Sequence, residues 1–69
     1  MIIVADSGGT KTEWRSVGDD GVVYAAQTAG MNPSTYGADH FVAMVNQAMP
    51  LLNPEGESVD KMYFYGAGL

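Results

Sequence analysis

Cysteine is absent from all 69 residues. That removes disulfides and any thiolate-held zinc or iron–sulfur site. His40 is the single histidine, so an all-protein metal cluster is not expected. Cations are scarce too: Lys11, Arg15 and Lys61 stand against eight acids, for a formal net charge of -5. Three scattered positive charges match a nucleic-acid backbone poorly, so DNA and RNA are not expected partners. No apolar run is long enough to span a membrane. The first residues lack the basic stretch and apolar core of a secretory leader. A chain without thiols fits a reducing compartment, and the expected location is the cytoplasm.

What is present reads as globular, with 46% hydrophobic and 16% charged residues. A chain of this length holds one domain at most, close to the size at which a single core barely offsets chain entropy. Its last residues, "MYFYGAGL", form an apolar, aromatic strand pattern running into a Gly-Ala-Gly turn. Chain ends are more often polar and frayed. Residues 1–69 therefore read as the N-terminal part of a longer polypeptide, unstable when expressed alone.

Ile2 to Ala5 is an unbroken apolar run, which predicts a strand covered on both faces. Thr12 to Val17 alternates, and Val22 to Ala29 is a third strand pattern. "GDDG", Gly18 to Gly21, is a turn signal. Two tight turns between three short strands predict an antiparallel meander. Gly30 to Gly37, "GMNPSTYG", is loop chemistry. In "ADHFVAMVNQAMPLL", Phe41, Val45, Ala48 and Leu52 recur at helical spacing, with Val42 and Met49 widening the stripe. Asp39 suits the start of that helix. Pro50 is expected to kink or end it. Met62 to Gly66 is a fourth strand, expected to pair in parallel after the helix. Glu13 and Arg15 read as a solvated pair on one strand face. His40 reads as a surface residue of the first helical turn, and the aromatic residues as packing.

The stretch "DSGGTKT", Asp6 to Thr12, holds the chemistry. A Walker A loop needs glycine directly before its lysine and a helix after it. Here Thr10 precedes Lys11 and a strand follows. A dinucleotide loop needs three spaced glycines opening a helix, and Gly8 and Gly9 do not supply them. What remains is a strand–turn–strand phosphate clasp, or a plain hairpin turn. In a clasp, Gly8 and Gly9 let backbone amides approach an anion. Thr10 and Thr12 add hydroxyls, and Lys11 adds charge. Asp6 would repel a bare phosphate, so its place implies a cation between the two, with hydrated Mg²⁺ the natural choice beside a nucleotide.

"DSGGTKTEW" resembles the first phosphate motif of the sugar kinase, heat-shock cognate and actin superfamily, Asp-x-Gly-Gly-Thr-x-Thr followed by a strand. The element order resembles that superfamily's N-terminal half-domain. The resemblance implies an α/β, ribonuclease H-like fold with β-β-β-α-β order and a mixed sheet, incomplete here. "GMNPSTYG" and "GAGL" resemble the N-acetylglucosamine kinases, and equally the BadF/BadG/BcrA/BcrD-type ATPases that activate benzoyl-CoA reductase and 2-hydroxyacyl-CoA dehydratases. By resemblance the cofactors are ATP and Mg²⁺. Asp6 positions the metal through water, and Gly8, Gly9, Thr10 and Lys11 touch the β- and γ-phosphates. The loop with Asn32, Ser34 and Thr35 faces the sugar, or serves only as turn and helix entry. Gly66 and Gly68 either turn the chain or let backbone approach a ligand. Ser7 stands where glycine or isoleucine is common, a change expected to be tolerated. The family's general base, second phosphate motif and adenosine motif lie beyond these residues. The expected activity is ATP-dependent phosphoryl transfer to a sugar, the alternatives being an activator ATPase and a non-catalytic binding module. Expected partners are the sugar and the rest of the chain, with a homodimer left open.

Overall fold

A computed structural model describes residues 1–30 and 37–66. Along the chain come β1 (Ile2–Ser7), β2 (Lys11–Val17), β3 (Val23–Ala29), α1 (Ala38–Leu52) and β4 (Lys61–Gly66). The four strands form one sheet in the order β3-β2-β1-β4. β1 with β2 and β2 with β3 are antiparallel, and β4 lies parallel to β1 after the crossover through α1. The fold is α/β with a mixed sheet, in the element order expected.

Period-2 alternation divides the sheet into two faces. Ile3, Ala5, Trp14, Ser16 and Ala26 are buried on the face that α1 covers. On the other face Ile2 and Val4 are 43% and 38% exposed, which corrects the expectation that β1 is covered on both sides. The reason is geometric: the one helix among the described residues packs on one face. Trp14 sits at the centre of the covered side. Its indole Nε1 donates to Thr28 Oγ1 at 2.9 Å, and its ring meets Phe64 edge-on at 6.3 Å between centroids.

The buried stripe of α1 is Met44, Ala48 and Leu52, with Val45 and Met49 packed beside it. Val45, Ala48, Met49 and Leu52 fall where expected, and Met44 joins them. Val42 faces outward, and Phe41 is 40% exposed while its ring still touches Phe64 edge-on. The helix also runs through Pro50 to Leu52. Pro50 lies in the last turn, where one missing amide breaks little of the ladder. Full burial of Ala48 and Leu52 on either side holds that turn against the sheet. The Ser16 hydroxyl donates to the Leu52 carbonyl at 2.7 Å, and the Asn53 amide bonds the Met49 carbonyl at 2.8 Å.

The end of the sheet away from the β1–β2 turn is tied down by the chain terminus. The Met1 side chain is buried in the core. Its ammonium donates to Asp60 Oδ2 at 2.8 Å, to the Ser58 carbonyl at 3.0 Å and to Asp19 Oδ1 at 3.3 Å. Glu57 Oε1 stands 3.5 Å away. Gly21 closes the β2–β3 turn at φ +82°, a left-handed conformation that glycine adopts without strain. Among the described residues no helix is long and apolar enough to cross a membrane.

Candidate functional site

The site is built at the opposite end, on the turn between β1 and β2. Pairing runs to Ser7 opposite Thr12, and the Gly8 amide donates to the Lys11 carbonyl at 2.8 Å. Gly8, Gly9 and Thr10 therefore cap the antiparallel ladder of β1 and β2. Beside the turn is an open cleft of about 360 Å³ lined by Asp6, Ser7, Gly8, Thr10, Lys11 and Glu13.

Alternation decides which side chains reach it. Asp6 lies on the open face of β1, and β2 brings Lys11 and Glu13 to the same face. In the register, Asp6 stands directly opposite Glu13 on one side and Tyr65 of β4 on the other. Lys11 Nζ lies 3.4 Å from Glu13 Oε1. This replaces the expected Glu13–Arg15 pair, because the Arg15 guanidinium donates instead to the Trp14 carbonyl at 2.9 Å. The cleft thus holds two carboxylates against one ammonium.

Of the nominated phosphate residues, Asp6, Gly8, Thr10 and Lys11 share the cleft, and Gly9 and Thr12 do not line it. Thr12 falls on the covered face and is fully buried. Its hydroxyl lies 2.9 Å from Ser7 Oγ and 3.0 Å from the Ala29 carbonyl. It braces the turn from behind, tying β1, β2 and β3 together. Ser7 is the other half of that brace and is only 3% exposed.

The donor set suits a hydrated hard cation. Asp6 and Glu13 offer carboxylate oxygens on adjacent strands, which is oxygen chemistry of the kind Mg²⁺ takes. Among the described residues no three His, Cys, Asp or Glu side chains gather to hold an ion. Asn32, Ser34, Thr35 and Gly68, nominated from the sequence, lie outside the described residues.

Sequence reasoning missed Gly30 and His40. The His40 Nε2 lies 3.3 Å from the Gly30 carbonyl oxygen, and the Gly30 backbone touches the Gly8–Gly9 turn. Nothing local in the sequence marks this contact, because it joins three segments distant along the chain. No family model matches the chain, and no curated protein matches it.

Proposed function

We propose that the β1–β2 turn receives the phosphates of ATP with Mg²⁺, as the first phosphate motif of an ATP-dependent sugar kinase of the N-acetylglucosamine kinase type. On this reading the chain is the opening segment of an actin-like, ribonuclease H-like ATPase domain. The observation that carries the proposal is the shared cleft of Asp6, Gly8, Thr10 and Lys11.

Two carboxylates and one ammonium make that cleft unfavourable to a bare polyanion. A divalent cation reverses this, because it is attracted to Asp6 and in turn attracts phosphate. The Gly8–Thr10 backbone can then approach the phosphate closely, the Thr10 hydroxyl adds a donor, and Lys11 can exchange its Glu13 partner for a phosphate oxygen. Catalysis in such a site is positioning with neutralisation of charge developing on the transferred phosphoryl group. Thr12 and Ser7 support the turn and do not touch the nucleotide through their hydroxyls.

The test is to incubate the full-length protein with Mg·ATP and a panel of hexoses and N-acetylhexosamines, and to measure ADP release and sugar phosphate formation. Sugar-dependent ADP release with a phosphorylated sugar as product supports the proposal. Hydrolysis of ATP that no sugar stimulates would move the reading to an activator ATPase. Absence of both Mg·ATP binding and turnover would leave a non-catalytic module.

A further inference from the structure

Gly30 follows β3 and lies against the turn that joins β1 to β2. A Cβ placed on it would stand 2.5 Å from the Gly8 carbonyl oxygen and 2.7 Å from the carbonyl carbon and oxygen of Gly9. Those separations are far inside van der Waals contact. The atoms met are backbone and cannot swing aside as a side chain would. Across the junction, His40 Nε2 is placed 3.3 Å from the Gly30 carbonyl oxygen, where it can donate. Helix α1 thus reaches Gly30 from one side while Gly30 supports the turn on the other.

We propose that Gly30 is a positioning residue, the seat that fixes the Gly8–Gly9 turn, with His40 anchoring that seat to α1. A turn held in one shape before the ligand arrives loses less conformational freedom on binding. Its ligand, the polyphosphate end of Mg·ATP, rests on the reading given under Proposed function; the seat itself rests on backbone geometry alone.

The experiment compares full-length wild-type protein with Gly30→Ala and with Gly37→Ala, whose added Cβ would meet nothing within 4 Å. Amide NMR spectra and hydrogen exchange report the turn, and titration with Mg·ATP reports binding. In Gly30→Ala the Gly8 and Gly9 signals move. Exchange of the Gly8 amide, bonded to the Lys11 carbonyl, accelerates at least about tenfold while Ile3 and Ala5 stay protected. The Kd for Mg·ATP rises by about tenfold or more. Gly37→Ala changes none of these. Unaltered Gly8 exchange in a folded Gly30→Ala protein would overturn the proposal. Should that variant fail to fold, His40→Ala frees the same carbonyl without adding atoms. Faster exchange at Gly8 and Gly9 with an intact core then supports the seat, and unchanged exchange refutes it. A turn that moves in Gly30→Ala, in a protein whose wild type does not bind Mg·ATP, upholds the seat and removes the nucleotide reading.

Discussion

Asp6 and Glu13 face each other across β1 and β2 as a cross-strand pair of like charge. Such pairs are destabilising. Lys11 offsets part of this repulsion through Glu13, and on the proposed reading a cation attracted to both carboxylates would offset the rest. Asp6→Asn separates stability from activity. The substitution removes the repulsion, so the midpoint of thermal unfolding should hold or rise slightly. Phosphoryl transfer should fall at least about a hundredfold in kcat, roughly 3 kcal/mol of barrier. Near-normal turnover by a folded Asp6→Asn protein would leave the glycines as a plain hairpin turn.

Thr12→Val tests the brace behind the turn. Valine keeps the shape and loses the hydroxyl, leaving the buried Ser7 Oγ and the Ala29 carbonyl with one partner fewer. A cost of about 1–2 kcal/mol is expected in urea unfolding, with any loss of Mg·ATP affinity accompanying that loss of the brace. A large loss of ATP affinity with no loss of stability would return Thr12 to the phosphate site. Ser7→Gly should likewise cost stability, since it breaks the same bond.

Most of the architecture was legible in the sequence, and the misses have physical causes. Turn chemistry at Gly8–Gly9 and at Gly18–Gly21 placed the two hairpins, and helical spacing placed α1. The continuous apolar run of β1 suggested cover on both faces, but a strand's own composition does not say how many layers pack on it. The stripe of α1 was turned from its expected position because Met44, not Val42, meets the sheet. Asp6, Gly8, Thr10 and Lys11, singled out by residue type, line one cleft. The burial of Thr12 follows from its alternation with Trp14 along β2. The Lys11–Glu13 pair has the same two-residue spacing as Glu13 and Arg15, so only the geometry of Arg15 decides between them.

Ser16→Ala probes the attachment of α1 to β2. The lost hydroxyl leaves the Leu52 carbonyl, at the end of the helix, without its 2.7 Å partner. Loss of about 1–2 kcal/mol is expected in denaturant unfolding. Amide exchange should accelerate in the last turn of α1 before it does in β1. Uniform acceleration across the whole chain would count against a local clamp.

The Met1 ammonium gives the fold an alkaline limit. Its hydrogen bond to Asp60 is the largest cause raising its pKa from 8.0 to about 10; desolvation opposes this, and Asp19 adds to it. A group whose folded pKa is raised contributes stability that is complete below the unfolded value. That contribution is therefore full below about pH 8 and is lost as pH rises through about 10. The check is the thermal midpoint against pH for the free chain and for the same chain acetylated at its amine. The acetylated chain should be less stable at neutral pH, and the two curves should converge above about pH 10. Parallel curves would show that the ammonium contributes nothing.

Trp14 is the only tryptophan in the chain, and it is fully buried on the face that α1 covers, bonded to Thr28 of β3 and edge-on to Phe64 of β4. The molecule therefore carries its own optical reporter. Emission from that indole is expected at shorter wavelength while α1 and the neighbouring strands bury it, so one intrinsic signal should follow assembly of the parallel strand together with the hairpins. A folding trace in which β4 docks late would appear as a second phase in the same fluorescence, with no label added.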